Sequence, residues 1–131
     1  MRLLPLRLAP GADLRRALEQ ALATEQVAGA FVVSGIGSLR DVRLRFAAQE
    51  QATLLPGDFE IISIAGALTP DGAHLHMAVS DSEGRVVGGH VVVGNEVRTT
   101  VEVLLALTDG WQLARELDPA TGYAELAVRP V

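Results

Sequence analysis

The residues best suited to chemistry lie in one stretch, HLHMAVSDSEGRVVGGH, from His74 to His90, which holds all three histidines of the chain. In an extended strand, residues i and i+2 face the same side, so His74 and His76 are neighbours on one face. Ser82-Glu83-Gly84 reads as a bulged three-residue turn with Gly84 in the left-handed position. Asp81 then pairs with Arg85, and counting back places His76 opposite His90. All three imidazoles share a face, and Leu75, Met77, Val79, Val87 and Val91 point the other way.

Three imidazoles on one face match a zinc site with an open fourth position, although nickel, copper and iron accept the same ligands. Gly88 and Gly89, beside His90, leave room for a ligand. Three neutral ligands leave a metal's charge uncompensated, so the open position is expected to attract a small anion or hydroxide. Asp81 and Glu83 sit at the turn, too far along the strands to be ligands, and Glu60 and Glu102 are the candidates for a catalytic base. The competing reading is a half-buried hairpin whose histidines serve as hydrogen-bonding core or interface groups. A slip of one residue in register would disperse the cluster.

The segments that must position this hairpin read as follows. Residues 2–8 alternate, with Leu4, Leu6 and Leu8 on one face, and predict a strand. GADLRRALEQALATEQV predicts a helix capped by Asp13, with Leu14, Ala17, Leu18, Ala21 and Leu22 as its apolar stripe. AFVVSGIG reads as a buried strand entering a glycine turn. In LRDVRLRF, Val42, Leu44 and Phe46 oppose Asp41, Arg43 and Arg45. Pro56-Gly57 signals another turn, followed by the strand DFEIISIAGAL, a turn at Thr69 to Gly72, and the histidine hairpin. VRTTVEVLLAL is β-branched and predicts a strand. WQLAREL and GYAELAV predict a closing pair. The expectation is an α+β fold, mostly antiparallel sheet with one or two helices, forming a single domain over residues 1–131.

Composition narrows the chemistry. At 131 residues, 49% hydrophobic and 21% charged, the chain is of a size and make-up to bury a core. It contains no cysteine, which excludes disulfides, thiolate metal sites and cysteine nucleophiles. Its eleven basic residues are all arginine, so Schiff-base and P-loop lysine chemistry are excluded. SGIGSL lacks the third glycine and the following helix of a dinucleotide loop and reads as a tight turn. Arg43 and Arg45 share a face and read as a solvated surface, and no serine has a triad partner in view. A net charge of -5 argues against DNA binding by this domain alone. No apolar run approaches the ~20 residues that span a bilayer, and MRLLPLRLAP is too short and broken for a secretory signal. A cytoplasmic protein without membrane attachment is expected.

Taken in order, PGADLRRAL, VVSGIGSLRDVRLRF, GDFEIISIAGAL, HLHMAVSDSEGRVVGGH, TTVEVLL and RELDPATGYAEL resemble the plant and prokaryote conserved (PPC) domain over nearly the whole chain. The resemblance implies an α+β fold assembled as a homotrimer. In plant members an AT-hook supplies most of the DNA contact, and a Gly-Arg-Phe-Glu-Ile-Leu segment is implicated in partner binding. The matching residues here are Gly57, Asp58, Phe59, Glu60, Ile61 and Ile62, with Asp58 in place of the arginine and no basic hook in the chain. The fold is also similar to that of acetolactate decarboxylase, whose zinc is held by a His-x-His pair and a third histidine; His74, His76 and His90 match. Two functions are therefore expected to compete. One is a homotrimeric module binding a metal, zinc first, or a small ligand. The other is a DNA-binding or transcription-associated partner-binding protein.

Overall fold

The computed structural model describes all residues from Met1 to Val131. In chain order they form β1 (Arg2–Leu8), α1 (Leu14–Glu25), β2 (Ala30–Arg45), β3 (Thr53–Thr69), β4 (Gly72–Ser80), β5 (Val86–Val91), β6 (Glu96–Leu107), β7 (Trp111–Asp118) and β8 (Tyr123–Pro130). The fold is α+β with one helix and antiparallel pairing throughout. The main sheet runs β1-β6-β2-β3-β4-β5, and β5 returns to pair with the end of β2 through Leu44↔Val91 and Arg45↔His90. This second pairing closes β2, β3, β4 and β5 into a ring. β7 and β8 form a separate two-stranded hairpin.

Two expected turns are not turns. SGIGSL is the middle of the continuous strand β2, and Pro56-Gly57 lies inside β3. Both strands bend at irregularities instead of reversing. The β2–β3 register shifts between Arg40 and Val42, where Asp41 takes a left-handed φ of 54° and its carboxylate accepts a hydrogen bond from the Gly57 amide at 2.9 Å. Pro56 falls within this bulge, where its missing N–H interrupts no ladder bond. The reversal between β2 and β3 comes earlier, around Ala48, which also has a left-handed φ of 61°. The absence of a turn at Gly35 and Gly37 has a packing explanation. A β-carbon at Gly35 would fall 2.4 Å from the Ile64 side chain, and one at Gly37 would fall 2.4 Å from the Thr100 carbonyl. These glycines admit close neighbours rather than a reversal.

The core follows the alternation. Leu14, Leu18 and Leu22 of α1 are buried among Leu8, Val42, Leu44, Leu75, Met77, Val91 and Leu105. Burying one leucine contributes roughly 1.5–3 kcal/mol, so these three hold the helix on the sheet. Asp13 caps α1 as expected: its Oδ1 accepts from the Arg16 amide at 3.1 Å and its Oδ2 accepts from the Gly94 amide.

Beside that cap lies Asn95, fully buried. Its Oδ1 accepts from the Arg43 amide at 2.8 Å, and its Nδ2 donates to the Arg43 carbonyl at 2.9 Å and the Val92 carbonyl at 3.0 Å. Its own carbonyl accepts from the Leu14 amide at 2.9 Å. The side chain thus pairs the edge of β2 just where the ladder to β5 runs out. Asn95→Ala strands buried polar groups and is expected to lower the unfolding free energy by about 3 kcal/mol. Urea unfolding of the two proteins measures this, and a loss under ~1 kcal/mol would show that the amide is dispensable.

Candidate metal centre

The histidine hairpin is fixed at its tip. Asp81 Oδ1 accepts from the amides of Glu83 and Arg85, both at 2.9 Å, and the Asp81 amide donates to the Arg85 carbonyl at 2.9 Å. Gly84 supplies the left-handed residue with φ 79°. From that tip the register runs Ser80↔Val86, Val79↔Val87, Ala78↔Gly88, Met77↔Gly89 and His76↔His90. The core face holds this register in place. Leu75, Met77, Val79 and Val91 are all at most 4% exposed, and a one-residue slip would exchange them for histidines.

The three imidazoles converge on the outer face. Ring centroids lie 4.9 Å apart for His74 and His76, 5.3 Å for His74 and His90, and 5.6 Å for His76 and His90. One nitrogen from each ring lies within 4.8 Å of the others. Tetrahedral zinc with bonds of 2.0–2.1 Å spaces its ligand atoms about 3.3 Å apart, so modest side-chain rotations bring the three nitrogens into reach of one ion.

Beside these rings runs a cleft of about 860 Å³, bounded on the far side by the β7–β8 hairpin. His74 and His90 line it together with Arg15, Arg45, Glu50, Asp71, Arg115 and Glu125. The hairpin is docked by Leu113, which is buried and whose amide donates to the Ala28 carbonyl at 2.9 Å. It is held further by the Arg115 amide, which donates to Asp71 Oδ2 at 2.9 Å. Gly29 makes the docking possible, since a β-carbon there would fall 2.3 Å from the Leu113 side chain.

This environment sets the protonation of the rings. Burial pushes the His90 imidazole down to about 4, aided by the positive charge of Arg45 and by His74, Arg15 and His76. Burial, then Arg115 and His76, lower His74 as well, with Glu125 opposing. At neutral pH both rings are therefore uncharged and keep a lone pair for a metal. The donor set fits a divalent transition metal.

The other residues singled out from the sequence lie elsewhere. Gly88 and Gly89 sit on β5 next to His90 but do not line the cleft. A β-carbon on Gly89 would stand 3.0 Å from the Arg45 carbonyl, so this glycine lets β5 approach β2. Glu60 is exposed on β3 opposite Ser38 and Ser80, and Glu102 is exposed on β6 opposite Ile36; neither reaches the histidines. Of the 57–62 segment, Phe59 and Ile61 are buried in the core, and Gly57, Asp58, Glu60 and Ile62 are exposed, with Asp58 ion-paired to Arg98 at 3.3 Å. Arg45 is not simply a solvated surface residue, because it stands directly opposite His90. Arg15, Arg115, Glu50, Asp71 and Glu125 come from four other parts of the chain and carry no local motif.

Comparison with known proteins places the fold in a wider group. The profile of the Plants and Prokaryotes Conserved (PCC) domain matches residues 1–109. The bifunctional protein GlmU of Synechococcus sp. (strain JA-3-3Ab) is 44% identical over 131 residues, which cover 100% of this chain and 21% of that protein. The chain thus spans about a fifth of the length of this curated relative. A hypothetical protein from Salmonella superposes with a TM-score of 0.95 at 40% identity, over 98% of this chain and 94% of the other. A metal-containing protein from Archaeoglobus fulgidus superposes with a TM-score of 0.81 at 27% identity, over 97% and 94%.

The lowered proton affinity of His74 and His90 has a consequence for stability. An unfolded histidine takes up a proton near pH 6.5, whereas folded His90 does so only at about 4. The unfolded state therefore binds more protons between those values, and stability falls as the pH drops through this window. The charged groups facing the rings are Arg15, Arg45, Arg115 and Glu125. In chelator, the urea midpoint of the wild-type chain is expected to drop from pH 7 to pH 5 more than that of His90→Asn. Parallel decreases in the two proteins would contradict the assignment.

Proposed function

The chain belongs to the Plants and Prokaryotes Conserved domain family, and on that footing we propose that it is a homotrimeric metal-binding module. In this reading His74, His76 and His90 hold one divalent transition metal, zinc first. The observation that carries it is the convergence of three imidazole nitrogens within 4.8 Å on one face of a rigid hairpin. The 27% identity to a metal-containing protein of the same fold supports it. When bound, such a metal offers one open coordination position that acts as a Lewis acid toward an oxygen donor.

The protein's own contribution is to prepare that position. The hairpin orients the three rings before any ion arrives, because Leu75, Met77 and Val91 anchor its opposite face. Burial and the neighbouring arginines keep His74 and His90 unprotonated, so little proton release opposes binding at neutral pH. The net charge of -5, with no lysine, weighs against phosphate-backbone binding as the main role. No helix is long and apolar enough to cross a membrane.

Assembly is supported by apolar surface. β2 and β3 leave Phe31, Val33, Ile36, Leu54 and Ile62 exposed, between 41% and 56% each. So much exposed apolar area on adjacent strands fits a surface covered by another subunit.

Calorimetric titration of chelator-stripped protein with zinc at pH 7.5 is expected to give one ion per chain. His76→Asn is expected to weaken binding more than about tenfold. Absence of heat, together with no metal by elemental analysis of untagged protein, would remove the metal reading. Light scattering on the eluting protein is expected to give three times the chain mass of 13.8 kDa; a monomer at micromolar concentration would remove the trimer.

A further inference from the structure

The arginines of the cleft are not equally occupied. Arg15 is committed: its Nε donates to Glu19 Oε1 at 2.8 Å and its Nη1 to the Val91 carbonyl at 3.1 Å. Arg45 makes one bond, from Nη1 to the Gln49 carbonyl at 3.2 Å, and has no carboxylate partner. The guanidinium of Arg115 makes neither a hydrogen bond nor an ion pair, although its backbone amide is held by Asp71. Both residues are only half-exposed. Among the exposed arginines, Arg2, Arg85, Arg98 and Arg129 are each paired with a carboxylate, and Arg7, Arg16 and Arg40 are left to water; Arg45 and Arg115 differ from these three in being partly buried in the cleft. A guanidinium presents five N–H donors in a flat fork, and withdrawing it from water without an acceptor is unfavourable. Two such forks with free donors, facing one cleft, form a receptor for an oxyanion.

The rest of the lining narrows the ligand. The apolar contribution is Ala48, Ala73, Ala124 and the ring of Tyr123. No large aliphatic side chain offers a hydrophobic seat, so recognition must run through charge and hydrogen bonds. Glu50 and Glu125 add acceptors on the same walls, suited to hydroxyl donors. A volume of about 860 Å³ admits a molecule of six or more heavy atoms with room for water.

We propose that the cleft between His90 and the β7–β8 hairpin binds a small hydroxylated oxyanion of the sugar-acid or sugar-phosphate class. Arg45 and Arg115 hold its anionic end, and Glu50 and Glu125 accept from its hydroxyls. This rests on the metal reading at one point only: beside His74 and His90 an oxygen of the ligand can fill the open coordination position. The arginine contacts stand without it.

The test titrates gluconate and glucose 6-phosphate into the full chain by calorimetry, once stripped with chelator and once loaded with zinc. Glucose, hexanoate and inorganic phosphate are the comparison ligands. Binding of at least one of the two hydroxylated anions is expected, stronger than that of any comparison ligand and weakening as salt rises. The tighter of the two identifies the anionic group as carboxylate or phosphate. Arg115→Gln and Arg45→Gln are each expected to reduce affinity about tenfold, with thermal melts confirming that they fold. Arg85→Gln, at the hairpin tip and away from the cleft, is expected to change nothing. Glucose or hexanoate binding as tightly as the hydroxylated anions, or full affinity in Arg115→Gln, overturns the proposal. If zinc binds but neither anion does, the proposal falls and the metal centre stands. If His76→Asn abolishes zinc binding while anion binding to stripped protein persists, the arginine site stands by itself.

Discussion

The buried side-chain amide of Asn95 ties together the parts on which the site depends. It bonds both main-chain groups of Arg43 on β2 and the carbonyl of Val92 just past β5, and the main-chain carbonyl of the same residue receives the first amide of α1. A buried amide in this position is stabilising only because all its groups are matched, since each unmatched one would cost about 1–3 kcal/mol. Its consequence is geometric. With β5 held against β2, Arg45 faces His90, and His90 faces His76, so three functional side chains fall in one row across three strands. The same fastening places Arg15, on the second residue of α1, within reach of the Val91 carbonyl.

The hairpin itself divides its labour by face. Inward residues pack into the core and fix the register, which leaves the outward positions free to carry groups that would be costly inside. The outer face then becomes a cleft because a second, independent hairpin folds over it through Leu113 and Asp71. That covering is partial. Its Arg115 and Glu125 act on His74, while burial and Arg45 lower His90 to about 4, and the cleft keeps an open mouth.

The charges around the rings pull in two directions. Arg45, Arg15 and Arg115 disfavour a proton on the imidazoles, and they would disfavour a bare cation for the same Coulombic reason. Glu50, Asp71 and Glu125 in the lining offset part of that positive field. An anion bridging ion and arginines would offset the remainder, which is why the metal centre and the oxyanion cleft make better physical sense together than apart.

The legible part of this protein was local. Alternation gave the strands, the leucine spacing gave α1, and Ser82-Glu83-Gly84 fixed a turn from which His76 could be counted onto His90, because strand pairing has a strict period of two. Glycine and proline misled at SGIGSL and Pro56-Gly57. There a bulge and close packing against Ile64 and Thr100 use the same residues that a turn would use. The sequence by itself determined the three histidines and their common face, since these depend on one hairpin only. Tertiary structure alone decided that Arg15, Arg45, Arg115 and Glu125 meet them. Those residues lie on a helix, a long bent strand and a remote hairpin, and nothing in their spacing encodes the closure of β2 on β5 or the docking of Leu113 that brings them together.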